Sequence, residues 1–247
     1  MTQSQAVIET IEALGGIATL AQINQKIFEI QDCKWGTKTP FASIRRIVRH
    51  TKEIYPIKKG LYALESYRKQ LEQDGIVEQT VKNENSEEVR TFNHAYYQGL
   101  LLELGKMRNL LTFVPDQDKN KKFLQTPLGE IRTVNSIPQY SYPSIVKRSS
   151  TIDVIWFNNH ELPHSFFEIE HSTDIQNSLL KYNDLQDFYV RMFIIAEEKR
   201  RQEYLKKLSY NAFDELRYNK RVRFVSYELL EKQYEQELLK QELNFII

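Results

Sequence analysis

The chain has 247 residues, of which 41% are hydrophobic and 27% are charged, and its formal net charge is +1. This length accommodates one large domain or two smaller ones with a packed core. No apolar run is long enough to cross a bilayer, no signal-peptide pattern opens the chain, and the single Cys33 excludes an internal disulfide and a cysteine-based zinc site. We therefore expect a soluble cytoplasmic protein that does not contact membranes.

The first 66 residues predict three short helices followed by a hairpin. Residues 4–14 have apolar residues at helical spacing, Thr19 is a suitable N-cap for a second helix, and Thr39-Pro40 is a start signal for a third. Lys59-Gly60 falls at the turn of a hairpin within residues 54–64. The third helix is expected to face inward with four apolar residues: Phe41, Ile44, Ile47 and Val48.

Polar and basic residues are expected on the outward face of the third helix and at the hairpin. They are Ser43, Arg45, Arg46, Arg49, Lys52, Lys58 and Lys59. The order of elements resembles a winged helix-turn-helix domain. The stretch Lys38-Thr-Pro-Phe-Ala-Ser-Ile-Arg45 and Gly60-Leu-Tyr-Ala63 resemble the HARE-type winged helix found beside restriction nucleases. The resemblance implies that residues 1–70 bind DNA through these side chains. A solvated basic face, or a surface for protein contacts, is the alternative.

Residues 71–92 are acidic and lack sustained periodicity, which predicts a charged linker. Residues 94–105 then have a helical pattern ending at Gly105, a candidate C-cap, and residues 110–114 are typical of a strand. Glu103 stands near the end of this helix. It is a candidate fourth carboxylate for a site on the sheet, and a solvent-facing acid is the alternative.

Three carboxylates interrupt two strand patterns that are rich in branched and aromatic residues. Asp153 lies in residues 151–157, and Glu168 and Glu170 lie in residues 165–171. Residues two apart on a strand share one face, so Glu168 and Glu170 point the same way. Asp153 joins them if the two strands are neighbours. Buried carboxylates require cations, and carboxylate oxygens are the ligands that Mg²⁺ prefers. A solvated sheet face is the alternative.

This arrangement resembles the PD-(D/E)XK nucleases, the fold of many restriction endonucleases. Asp153 matches the Asp of the motif and Glu168 its second acidic residue, whereas Ile152 replaces Pro and Glu170 replaces Lys. The resemblance implies that Asp153, Glu168 and the Ile169 carbonyl hold Mg²⁺ or Mn²⁺. The substitution leaves no cation beside the attacking water at the motif's own position, so Glu170 is expected to be the general base or to bind a second metal. His94 and His171 are interpreted as structural. Lys181, two turns into the following helix, is a candidate contact for the phosphate backbone, although it matches no motif.

Strand and helix patterns alternate after the motif, which predicts an α/β fold. The expected architecture is a mixed-sheet α/β/α restriction-endonuclease-like core at residues 93–247, preceded by the small winged helix domain. The sequence thus predicts a Mg²⁺-dependent DNA endonuclease of restriction or host-defence type, acting on double-stranded DNA as a homodimer. The alternatives are a regulatory DNA-binding protein with an inactive nuclease fold, and a nuclease for RNA or structured DNA.

Overall fold

The computed structural model describes residues 1–36 and 39–244, with side chains up to residue 240. Lys38, which opens the stretch compared with HARE-type domains, lies outside the described residues. The chain divides into two compact units. One comprises Met1–Phe92 with the chain from Glu235 onward, and the other is Asn93–Tyr234.

The first unit contains helices and a small antiparallel sheet. Its elements are α1 (Gln3–Ala13), β1 (Ile17–Thr19), α2 (Leu20–Lys26), α3 (Pro40–His50), β2 (Ile54–Lys58), β3 (Leu61–Leu64) and α4 (Arg68–Gln73). The strand order is β1-β3-β2. The predicted N-cap Thr19 accepts a hydrogen bond from Gln22 N–H, and Pro40 is the first residue of α3. The hairpin turns at Gly60, whose φ of +82° favours glycine.

The prediction that Phe41 faces inward is wrong. Ile44, Ile47 and Val48 form the buried stripe of α3, but Phe41 is 39% exposed. It lies in the first turn, where its ring meets the edge of Phe28 at 5.8 Å between centroids instead of entering the core.

A few residues of the segment expected to be a linker are packed. Ile76 and Val89 are buried, and Gln79 N–H donates to the Ile57 carbonyl at 2.7 Å. Helix α5 (Glu87–Met107) begins inside this segment. The acidic composition of the segment gave no sign of these contacts, because a few apolar residues are enough to hold a short segment against a folded unit.

The second unit contains the large sheet. After α5 its elements are β4 (Leu111–Phe113), β5 (Lys122–Phe123), β6 (Thr126–Pro127), α6 (Leu128–Ile131), α7 (Pro143–Ser149), β7 (Val154–Phe157), β8 (Pro163–Glu170), α8 (Ile175–Asp184), β9 (Arg191–Ala196), α9 (Arg201–Leu208), α10 (Asp214–Tyr218), β10 (Val222–Ser226) and α11 (Tyr227–Asn244).

The sheet is mixed, as predicted. Its strand order is β10-β9-β8-β7-β4, with β8, β9 and β10 parallel to one another. β7 is antiparallel to β8, and Val154 stands opposite Phe167. The condition under which Asp153 joins Glu168 and Glu170, that the two carboxylate-bearing strands are neighbours, is therefore met. Since β7 runs against β8, the beginning of β7 lies beside the end of β8.

Helices cover both faces of this sheet. On one face, Leu179 and Tyr182 of α8 pack in a core with Phe166 and Ile194. On the other face, the Trp156 indole N–H donates to the Leu101 carbonyl of α5 at 2.9 Å. Gly105 is not a C-cap, because α5 continues to Met107. A Cβ at Gly105 would lie 2.4 Å from the Thr112 methyl, so glycine allows α5 to approach the sheet.

Among the described residues, no helix combines the length and apolar character that a bilayer crossing requires. The cytoplasmic location stays a prediction.

Candidate active site

Asp153 immediately precedes β7 and reaches the end of β8. Its Oδ2 accepts the Ile169 N–H at 2.7 Å and lies 3.3 Å from His94 Nε2. Burial favours the neutral carboxyl. The charge and hydrogen bond of His94, the Ile169 N–H and Lys181 nevertheless hold the pKa of Asp153 below its ordinary value. Asp153 is therefore ionised while largely removed from solvent.

Glu168 is 2% exposed and is paired with a lysine from the following helix. Lys181 Nζ lies 3.0 and 2.9 Å from the two carboxylate oxygens, and it also donates to the Thr151 carbonyl at 3.0 Å. Burial and the negative charge of Asp153 raise the pKa of Glu168 well above its ordinary value, although Lys181 opposes them. Two carboxylates thus compete for positive charge at this point.

Glu170 shares the face of Glu168, as the alternation predicted, because Ser178 Oγ donates to both carboxylates. The Thr173 hydroxyl also donates to Glu170. The N-cap of α8 is Asp174, whose side chain accepts the Gln176 N–H at 2.9 Å. Within the described residues, Glu170 is held by neutral hydroxyls and has no cationic partner.

Helix α5 contributes His94 and Gln98, four residues apart on one side of the helix. Gln98 is fully buried and donates to the Asp153 carbonyl at 3.1 Å and to Asp118 at 2.9 Å. Asp118 in turn pairs with Lys121 at 2.6 Å. Burial opposes a charge on His94, but Asp153 raises the pKa of the imidazole above its ordinary value. His94 Nδ1 and Gln98 Oε1 are buried and have no partner among the described residues.

Glu103 does not join this group. It forms an ion pair with Lys106 at 3.0 Å. Glu103 is nine residues beyond His94, which places it about 180° around the helix. The side chains of α5 that contact Asp153 are therefore His94 and Gln98, and not the Glu103 carboxylate that the sequence suggested.

The residues present are suited to a divalent cation. In the part of the chain that the structure describes, no three His, Cys, Asp or Glu side chains form a complete metal-binding set. Mg²⁺, however, needs only one or two carboxylates and keeps several waters. Asp153 and Glu168 are close enough for Asp153 to perturb the pKa of Glu168. Ile169 presents its N–H to Asp153, and the carbonyl of a strand residue points toward the same neighbour as its N–H.

Residues 75–245, more than half of the chain, match the family described as the type II restriction enzyme NmeDI C-terminal domain. The chain belongs to this family. It is therefore a restriction-enzyme-like protein. No curated protein and no solved structure matches the chain.

The sequence indicated Lys181 only as a phosphate contact and did not indicate that it is the cationic partner of Glu168. His94 was interpreted as structural, whereas the ring contacts Asp153. One signal was present for α5: two polar residues, His94 and Gln98, stand at helical spacing within an otherwise apolar helix. No comparable signal marked Lys181, because its approach depends on how α8 packs on the sheet.

The residues predicted to bind DNA all lie in the first unit. Arg45, Arg46 and Arg49 are exposed on α3, and Lys52 and Lys59 are exposed near the hairpin. Ser43 and Lys58 are half-buried. α3 therefore presents a basic outer surface.

Proposed function

We propose that this protein is a restriction-type endonuclease of the PD-(D/E)XK kind that hydrolyses DNA with Mg²⁺ or Mn²⁺. The observation that carries the proposal is the convergence of Asp153, Glu168 and Lys181 where β7 begins and β8 ends. Two carboxylates and one lysine are the groups that the motif requires. Here the lysine comes from α8 instead of β8, and Glu170 occupies its usual place.

Asp153, Glu168 and the Ile169 carbonyl would hold the cation. When bound, the cation would supply positive charge to the scissile phosphate and acidify a water molecule. The competition between Asp153 and Glu168 supports this assignment. Two buried carboxylates that share too little positive charge in the free protein favour binding of a divalent ion.

Each side chain of the group has a distinct role in the proposed reaction. Lys181 reaches the Glu168 carboxylate and is positioned to contact a phosphate oxygen. Glu170 accepts the proton of the attacking water, since it is the carboxylate that no described cation neutralises. The water oxygen bonds to phosphorus, the bond to the leaving oxygen breaks, and solvent protonates that oxygen. His94 keeps Asp153 ionised and oriented.

The first unit is the proposed DNA reader. Its helices and hairpin follow the order of a winged helix, and its basic surface on α3 would contact phosphates and base edges. Replacing Arg45 and Arg49 by Gln should weaken duplex binding about tenfold. Because each lost phosphate contact removes about 0.9 from the salt dependence, the slope should fall by about 1.8. An Ile8→Val variant, half-buried in the same unit, serves as a control for folding in the binding titration.

Plasmid cleavage tests the function. Methylated and unmethylated plasmids are incubated with the protein and Mg²⁺, Mn²⁺ or EDTA, beside the Asp153→Ala variant. We expect discrete, metal-dependent fragments and a loss of at least about 10³-fold in rate for the variant, because a charge-stabilising group is removed from the transition state. Duplex binding should persist.

Two outcomes would redirect the proposal. Full cleavage by Asp153→Ala would refute the site. Metal binding without cutting of either plasmid would favour a DNA-binding protein with an inactive nuclease fold, or an RNA or structured-DNA substrate. Gel filtration with and without a cognate duplex tests the proposed homodimer, since cutting both strands needs two sites.

A further inference from the structure

A second surface of the Asn93–Tyr234 unit has the properties of a binding site. Two adjoining cavities of about 550 and 410 Å³ open near the beginnings of β8, β9 and β10. They share His164, Arg191 and Arg223. We call this region the strand-start cleft. Because β8 has eight residues, its two ends are separated by about 23 Å. The carboxylate group lies at the other end, beneath α8.

The strand-start cleft is positively charged. Its basic residues are Arg108, Arg191, Lys220, Arg221 and Arg223, and no Asp or Glu of the described part of the chain lines either cavity. Arg191 and Arg223 are exposed, and no carboxylate pairs with either of them in the described ranges. Burial, followed by the charges of Arg191 and Arg108, lowers the pKa of His164. Unpaired arginines at a concave surface favour a phosphate.

The smaller of the two cavities has an aromatic wall. It is lined by Trp156, Phe167 and Phe193, and the two phenylalanine rings are stacked with centroids 5.0 Å apart. Tyr189 lines the larger cavity and is 100% exposed. A fully exposed tyrosine beside arginines is typical of surfaces that stack a base while basic side chains hold the backbone.

We propose that the strand-start cleft binds a nucleoside phosphate, with the phosphate on Arg191 and Arg223 and the base against Tyr189 or the phenylalanine wall. The ligand is a single nucleic-acid strand or a free nucleotide, which share this chemistry. The site is separate from the proposed catalytic group, because it lies at the opposite end of β8 and its smaller cavity is on the opposite face of the sheet. The inference therefore does not depend on the nuclease proposal.

Photocrosslinking locates the ligand directly. A 12-nucleotide single strand carrying 5-iododeoxyuridine is irradiated with the full chain in EDTA, and the modified peptide is identified by mass spectrometry. We expect adducts at Tyr189, Phe167 or Phe193. The Arg191→Gln/Arg223→Gln variant should reduce them at least tenfold. Adducts confined to other regions, or unchanged in this variant, would overturn the proposal.

A salt titration measures the same contacts in solution. Loss of two single-strand phosphate contacts should lower the slope of log affinity against log salt by about 1.4. Lys69→Gln/Lys206→Gln removes the same charge from two exposed lysines elsewhere and should leave both readouts unchanged. Arg191→Lys/Arg223→Lys retains charge and should keep most of the slope, which separates phosphate binding from a folding defect.

Two further experiments identify the source of the phosphate and test whether the cleft is instead an interface between copies of this chain. If thymidine monophosphate displaces the oligonucleotide at the concentration at which the oligonucleotide itself saturates the cleft, the result supports a free nucleotide as the ligand. If the strand binds more tightly than thymidine monophosphate, the result supports nucleic acid. If the Gln variant dissociates an oligomer but keeps the adducts, the cleft is an interface between copies and the proposal fails. Asp153→Ala should retain the adducts. Normal plasmid cutting without them would refute this inference alone.

Discussion

The two ends of β8 carry charges of opposite sign, and the charges are buried at one end and exposed at the other. At its end, Glu168 and Glu170 are buried and held by Lys181, Ser178 and Thr173. At its beginning, Arg191 and Arg223 of the strand-start cleft are exposed and lack carboxylate partners among the described residues.

This contrast separates two kinds of site. Burying carboxylates costs free energy, so the protein must supply donors and cations in advance, and the resulting group is fixed in position. Exposed arginines cost little without a ligand, but they hold no defined geometry until an anion arrives. Chemistry is therefore expected at the end of β8 and binding at its beginning.

Of the variants that compare the two ends of β8, Lys181→Met should give the largest effect. We expect Lys181→Met to lower the cleavage rate at saturating DNA about hundredfold, because the phosphate loses a charged donor. Glu168, whose pKa is already raised, can take up a proton, so the fold should survive. Single-turnover cleavage and a duplex-binding titration separate the rate from the affinity.

The matched control for Lys181 is Lys206→Met, an exposed lysine on α9. It should cut at the normal rate. If Lys181→Met also cuts normally, Lys181 is a partner of Glu168 only, and the carboxylate end must act without a cationic side chain. If affinity falls while the rate is kept, Lys181 belongs with the binding residues, and the contrast between the two ends weakens.

The sequence predicted the strand-borne part of the site because alternation on β8 is a local property. Glu168 and Glu170 had to share a face once the strand formed. The pairing of β7 with β8 then brought Asp153 to them. Lys181 and His94 could not be predicted in the same way, since each reaches the group through the packing of a helix on the sheet. Glu103 was open to correction from the sequence, because its helical phase differs from that of His94.

The smallest expected difference between the two ends of β8 is in how each end changes the stability of the fold with pH. In EDTA, the raised pKa of Glu168 means that the folded protein binds this proton more tightly than the unfolded chain, so its contribution decreases as pH rises above the ordinary value of 4.5. The raised pKa of His94 acts in the same direction as pH passes through and above 6.5. Asp153, with a lowered pKa, loses its contribution only as pH falls below 3.8.

The basic end contributes with the opposite sign and in another window. Because burial and two arginines lower the pKa of His164, its unfolded form binds more protons just below pH 6.5, and stability rises with pH there. The melting temperature in EDTA should therefore fall with rising pH above 4.5 through Glu168 and above 6.5 through His94. Glu168→Gln should remove the Glu168 part of this decline, and Arg191→Gln/Arg223→Gln should leave it intact. A decline that is equally steep in both variants would mean that the carboxylate end is not its source.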